Sequence, residues 1–143
     1  MAGNMTLAIV KPDAVASGKL GAIVAHLQKE GFVVRAAKLV KLSRAEAGTF
    51  YEVHKERPFY GELVEFMTSG PCLPLALERA DAVAHYREVI GATDPAEAKE
   101  GTIRKLYAES KGRNAVHGSD SDENARREIG FFFTEAELAN LWG

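Results

Sequence analysis

Apolar positions along the chain fall into short runs, and their spacing changes from one stretch to the next. Thr6-Leu7-Ala8-Ile9-Val10 is an unbroken run stopped by Lys11-Pro12, and it predicts a buried strand. Leu20, Ile23, Val24 and Leu27 then recur at i, i+3, i+4 and i+7, the spacing of one helix face, with Gly31 suited to its C-terminal stop. Residues 32–42, FVVRAAKLVKL, are rich in branched side chains and predict a second strand. Ser43-Arg44-Ala45-Glu46 has capping-box spacing and opens another helix. Leu63, Phe66 and Met67 mark a further helical face that closes at Gly70, and residues 72–77 predict a third strand. Asp81 is placed to cap a helix running to Ile90, ended by Gly91.

From Gly91 to Arg113 the pattern thins. Ile103, Leu106 and Tyr107 are its main large apolar residues, and Asp94-Pro95 marks a turn or a helix start. A segment this long with so little core material is uncommon in a compact domain unless it is functional or disordered. A short helix from Ser121, a strand at 129–133 and a last helix capped by Thr134-Glu135-Ala136-Glu137 complete the reading. The order is β-α-β, helices, β-α-loop-helix-β. It is compatible with an α+β, ferredoxin-like βαββαβ sandwich, an antiparallel sheet covered by helices.

Composition narrows the functional classes. The 143 residues suit one domain, 1–143, and the 46% hydrophobic and 27% charged content is that of an ordinary globular protein. A net charge of -2 lacks the basic excess of a general nucleic-acid binder, so nucleic acid is not an expected partner and any anion site must be local. The N-terminal apolar run is too short for a signal segment or a membrane span. Cys72, the 1 cysteine, reads as a reduced core thiol within PCLPLAL. These features lead to the expectation of a cytoplasmic enzyme or binding domain.

No GxxxxGK[ST] loop and no GxGxxG opening a helix is present, so phosphate handling would have to rely on side chains. Lys11 stands just past a predicted strand end, either as an anion ligand or as a solvated lysine before a proline. Arg87 lies in the last turn of a helix, where its charge also suits the helix dipole. Arg104 sits in the long segment after Gly101-Thr102. Phe59, held after Arg57-Pro58, is either a stacking platform for a base or a staple at a helix start. His26 and His85 lie on helices with apolar faces, and His54 ends a helix. His117 differs from them: it closes the long segment and precedes Gly118 in Asn114-Ala115-Val116-His117-Gly118-Ser119-Asp120-Ser121. A neutral imidazole is a good nucleophile near physiological pH. Glu128, in the helix from Ser121, is placed to orient the ring, and Ser119 to hydrogen-bond nearby.

That eight-residue phrase resembles the NxxH-[GA]-SDS motif of the nucleoside diphosphate kinase family. Other segments agree with the family in order and spacing: Ile9-Val10-Lys11-Pro12-Asp13, Arg57-Pro58-Phe59-Tyr60, Phe66-Met67-Thr68-Ser69-Gly70-Pro71, Gly91-Ala92-Thr93-Asp94-Pro95, Gly101-Thr102-Ile103-Arg104 and Arg127-Glu128-Ile129. The resemblance implies a ferredoxin-like fold with a four-stranded antiparallel sheet. It implies transfer of the γ-phosphate of a nucleoside triphosphate, mainly ATP, to a nucleoside diphosphate by a ping-pong route. His117 would be the pros-phosphohistidine nucleophile, supported by Glu128, Ser119 and Tyr51. Lys11, Phe59, Arg87, Thr93, Arg104 and Asn114 would bind the nucleotide. Mg²⁺ would be held chiefly by the nucleotide phosphates, with Asp120 reaching it through water. A homo-oligomer, tetramer or hexamer built from dimers, is also implied.

The chain departs from the family pattern at Glu100, where proline is frequent, and at Lys105-Leu106-Tyr107, where Gly-Asp-Phe or Gly-Lys-Phe often follows the arginine. It ends at Gly143, without the longer tail that some members use in assembly. Two other readings of the same fold are a nucleotide-sensing or phosphorelay module without turnover, and a nucleic-acid module, which the net charge disfavours.

Overall fold

The computed structural model describes residues 3–142; Gly143 lies outside them. In chain order the elements are β1 (Met5–Val10), α1 (Pro12–Ala16), α2 (Leu20–Lys29), β2 (Val33–Ala37), α3 (Arg44–Phe50), a 3₁₀ turn (Glu52–His54), α4 (Tyr60–Met67), β3 (Leu73–Glu78), α5 (Ala82–Ile90), α6 (Ile103–Tyr107), β4 (Val116–Gly118), α7 (Asp122–Phe132) and α8 (Glu135–Trp142). The strands form a four-stranded sheet in the order β2-β3-β1-β4, with every neighbouring pair antiparallel. This is the α+β, ferredoxin-like arrangement anticipated from the sequence.

Period-2 alternation explains why β1 is apolar throughout. Successive strand residues face opposite sides of a sheet, and here both sides are covered. Ala8 and Val10 join Ile23, Leu27, Leu77, Tyr86 and Ile103 in one core. Leu7 and Ile9 join Phe50, Met67, Ile129 and Phe132 in the other. β1 is thus an interior strand with one wall of helices on each face. β4 lies at an open edge, paired only to β1 in the register Ile9↔His117.

Two capping boxes appear where the sequence places them. Ser43 and Glu46 exchange backbone and side-chain bonds at the start of α3, and Thr134 and Glu137 do the same before α8. Gly91 ends α5 at φ 85, a left-handed angle that glycine adopts without strain.

Other expectations need correction. Residues 129–133 are not a strand: Ile129 to Phe132 complete α7 and Phe133 is its C-cap. Ala125, Glu128, Ile129 and Phe132 are buried along it at i, i+3, i+4 and i+7, so a helical period runs through the aromatic run. Four or five consecutive apolar residues fit either element, and only their flanks decide. The fourth strand is instead Val116–Gly118, which moves His117 from a loop onto the sheet.

The strand expected over 32–42 stops at Ala37 and resumes as a single bridge, Val40↔Cys72. Lys38 N–H still donates to the carbonyl of Pro74 at 3.2 Å. Proline has no N–H to return the bond, so the ladder is broken there. Asp81 occupies the N-cap position of α5 but has φ 55 and makes no side-chain cap bond. The sparse segment after Gly91 contains α6, whose first turn is capped by Thr102 accepting from Lys105 N–H.

Candidate active site

The chemistry collects at the β4 edge. Lys11 follows β1 directly, and its backbone N–H donates to Ala115 O at 2.8 Å, tying the start of α1 to the residue before β4. Lys11 Nζ donates to Asn114 Oδ1 at 3.0 Å. Arg104, on the first turn of α6, is only 8% exposed. It donates from Nε to Asn114 O, from Nη2 to Val116 O at 2.9 Å and from Nη1 to Gly91 O. The guanidinium therefore ties both the turn after α5 and the lead-in to β4, which explains how a segment with so little apolar material holds its shape.

His117 is framed on every side. Its Nε2 lies 2.8 Å from Glu128 Oε1, and Ser119 Oγ donates to the same oxygen at 2.9 Å. Ser119 Oγ in turn accepts from Leu7 N–H at 3.2 Å. One hydroxyl proton cannot serve two directions, so the serine proton points at Glu128 and the carboxylate accepts from both neighbours. This fixes the imidazole tautomer. Nε2 carries the proton, and Nδ1 keeps its lone pair. The Phe50 and Tyr51 rings stand edge-on to the imidazole at centroid distances of 5.5 and 6.2 Å. Behind it, Tyr86 Oη donates to His117 O at 2.8 Å. A Cβ on Gly118 would stand 2.5 Å from the Tyr86 ring, so it is this close contact, not a positive φ, that requires glycine there.

Burial sets the protonation states. It lowers the His117 pKa from its usual value, outweighing the opposing pull of Glu128, so the ring is neutral at neutral pH. Lys11 is brought down to about 8, first by burial and then by the charge of Arg104, with Asp13 opposing. Burial also lowers Arg104 and raises the Tyr51 phenol, whose hydroxyl is buried without a hydrogen-bond partner. Cys72 is buried in the core beneath this region, and burial pushes its thiol up to about 11, as expected of an inert packing residue.

One open cavity of about 440 Å³ is lined by Lys11, Tyr51, Phe59, Arg87, Thr93, Arg104, Asn114, His117, Asp120 and Glu128. Every candidate residue from the sequence lines it except Ser119, which lies beneath it at 0% exposure. Lys11, Tyr51, Arg104, Asn114 and Glu128 are buried and make up the floor, while Phe59, Arg87, Thr93 and Asp120 are exposed at the rim. Phe59 is 47% exposed, which excludes the core-staple reading, and its ring stands 5.5 Å from that of His54. Asn124 and Arg127, both on α7, also line the cavity and were missed in the sequence. Asn124 lies one turn before Glu128 on the same face of α7 and Arg127 stands beside it, both within the helix that the sequence opens at Ser121. Asn124 Nδ2 donates to Asp120 Oδ1 at 2.6 Å, the first cause of the lowered Asp120 pKa.

The pattern of a nucleophile, an orienting carboxylate and converging cations, with an aromatic at the mouth, suits transfer of an anionic group. The model of the nucleoside diphosphate kinase family matches residues 4–138. The chain belongs to the nucleoside diphosphate kinase family. Relatives agree: the nucleoside diphosphate kinase of Chloroherpeton thalassium is 62% identical over 137 residues, covering 95% of this chain and 97% of its own. That of Sorangium cellulosum is 58% identical over 139 residues, covering 97% and 96%. Among solved structures, the Aquifex aeolicus nucleoside diphosphate kinase superposes with a TM-score of 0.91 at 47% identity, covering 94% of this chain and 97% of that one. A halophilic nucleoside diphosphate kinase from Halobacterium salinarum, solved in complex with CDP, superposes at 0.89 with 38% identity, covering 94% and 91%. A nucleoside diphosphate kinase is a phosphotransferase, and its departures from the family pattern here, Glu100 and Lys105-Leu106-Tyr107, lie on or beside α6 without disturbing the Arg104 contacts.

Proposed function

We propose that residues 1–143 act as one nucleoside diphosphate kinase domain that works through a phosphohistidine at Nδ1 of His117. The observation that carries this reading is the Ser119–Glu128–His117 chain, which leaves Nδ1 unprotonated at the cavity. Its lone pair attacks the γ-phosphorus of ATP. The bond from phosphorus to the bridging oxygen breaks, and the electron pair leaves with the diphosphate. Glu128 holds the Nε2 proton and balances the positive charge that develops on the ring. A nucleoside diphosphate then enters the same cavity, and its terminal oxygen takes the phosphoryl group back.

Lys11, Arg104 and Arg87 offset the negative charge spread over the transferring group, while Thr93 and Asn114 hold phosphate and sugar oxygens. Fixing both reactants in one cavity removes roughly 7–11 kcal/mol of barrier in favourable cases. Tyr51, with its buried and unpartnered hydroxyl beside the imidazole, donates to the reacting phosphate. Phe59 at the rim stacks on a base, and stacking accepts any base. A CDP-bound neighbour supports nucleoside diphosphate binding in this fold.

Magnesium fits the donor set as a guest of the nucleotide. Among the described residues no group of three or more His, Cys, Asp or Glu is arranged to hold a metal ion. One rim carboxylate, Asp120, would reach it through water, as Mg²⁺ sites that rest on substrate phosphates require. When bound, Mg²⁺ neutralises phosphate charge. No helix among the described residues is long and apolar enough to cross a membrane, and we place the activity in the cytoplasm, in a tetramer or hexamer built from dimers. The test is a label and chase: protein given γ-radiolabelled ATP acquires acid-labile label, which unlabelled GDP removes as labelled GTP. Label that forms equally in His117→Ala, or that GDP does not remove, contradicts the reading.

A further inference from the structure

Ala115 has φ 72, in the left-handed region where an alanine is strained, and it stands between Asn114 and the first residue of β4. Both of its backbone polar groups are taken up by the start of α1. Its carbonyl accepts from Lys11 N–H at 2.8 Å, and its N–H donates to Asp13 Oδ2 at 3.1 Å. Asp13 is 4% exposed, and its other carboxylate oxygen is buried without a hydrogen-bond partner. A buried carboxylate that satisfies only one of its oxygens is expensive to retain, and the catalytic scheme above gives it no task.

We propose that Asp13 is a positioning residue of the site, holding Ala115 in its left-handed conformation and so setting the geometry between Lys11, Asn114 and His117. The backbone turn at Ala115 separates two jobs over a very short stretch of chain. On one side the Asn114 side chain meets Lys11 Nζ at 3.0 Å. On the other, β4 begins and presents His117 to Glu128 at 2.8 Å. If Ala115 relaxes to an ordinary φ, the two sides cannot both keep their direction. Asp13 acts by charge as well. It favours the charged form of Lys11 against burial and against Arg104 of α6. Lys11 also faces His117 of β4, whose ring is tied to Glu128 of α7.

This inference rests on the phosphohistidine reading, and the test separates the two. The rate of single-turnover labelling by ATP is measured across pH for the wild-type protein, Asp13→Ala, Asp13→Asn, Ala115→Gly and the Asp13→Ala/Ala115→Gly double variant, each checked for folding by circular dichroism. Asp13→Ala is expected to label about 100-fold more slowly at saturating ATP, the scale of an ångström-sized misplacement. Glycine adopts positive φ freely, so adding Ala115→Gly restores much of that loss. Asp13→Asn keeps an acceptor for Ala115 N–H and loses the charge, so it outpaces Asp13→Ala while its alkaline limb moves to lower pH. A wild-type protein that takes no label defeats the phosphohistidine reading itself. A labelled wild type matched in rate by Asp13→Ala, a loss that Ala115→Gly leaves unchanged, or an alkaline limb unmoved in Asp13→Asn overturns the role of Asp13.

Discussion

For single residues, the proposed mechanism makes His117 and Lys11 the groups that set the pH range of labelling. The His117 pKa is lowered, chiefly by burial, and the ring must be neutral to attack. Labelling by ATP should therefore fall on the acid side only below the ordinary histidine range. On the alkaline side it should fall as Lys11 loses its proton around its value of about 8. A bell-shaped profile of kcat/KM for the phosphorylation half-reaction checks both limbs, and a single alkaline limb far above that value would contradict the assignment of Lys11. The same histidine couples folding to pH. Folding depresses its pKa, so the unfolded chain takes up the proton first as pH falls. The contribution of His117 to stability is complete above the unfolded pKa of about 6.5 and is lost as pH falls through the folded value. Glu128→Gln keeps an acceptor for Nε2–H but removes the charge that offsets the developing imidazolium. It should slow labelling by roughly 100-fold or more, the scale of a lost acid–base partner, with a far smaller change in ATP affinity measured by titration.

At the scale of elements, β4 is the critical and least independent piece. It has three residues and one neighbouring strand, so its own ladder cannot fix it. Tyr86 of α5, Arg104 of α6 and the start of α1 hold its backbone through side-chain and main-chain bonds. Gly118 is tightly fitted to this support. Gly118→Ala drives a methyl against the Tyr86 ring and should destabilise the fold by about 1–3 kcal/mol by overpacking, read from urea unfolding. Tyr86→Leu in the same chain should reduce that penalty, and an equal penalty in both backgrounds would show that the contact is not the cause.

The same elements explain what the sequence conveyed. The β1 run, the Leu20–Leu27 face and the Ser43 and Thr134 capping boxes have local causes, and they were legible. The β4 strand was not, because a three-residue edge strand carries no periodic signal, and its order comes from side chains remote in sequence. The aromatic run 129–133 misled for a related reason: its helical partners, Ala125 and Glu128, lie upstream, and one of them is a buried carboxylate that reads as polar.

At the scale of the whole molecule, the site depends on a sheet covered on both faces. Leu77 is fully buried in the core beneath α2 and α5. Leu77→Ala should lower stability by about 2–5 kcal/mol, the range for a buried leucine cavity. Calorimetry should show the loss as a lower Tm, while kcat per folded molecule changes little because the mutation lies outside the cavity. The candidate residues come from the β1–α1 junction, the turn after α3, the start of α4, α5 and the loop after it, α6, β4 with the residues flanking it, and α7. Their types and order were readable from the sequence, through family resemblance for most. Their convergence on one cavity was not, because it depends on a tertiary arrangement that no short window contains. Tyr86 and Asp13 belong to the same class, since each acts on the site through backbone it holds, while Asn124 and Arg127 reach the cavity only because α7 is packed beside β4.

The atom that would carry the phosphoryl group can be identified directly. Protein incubated with ATP and kept at alkaline pH, where phosphoramidates persist, is digested and sequenced by tandem mass spectrometry, with phosphorus NMR of the intact protein assigning the ring position. A single phosphoryl group is expected on Nδ1 of His117, gone after GDP is added. A phosphoryl group on Nε2, or on another residue with His117 unmodified, would contradict this assignment.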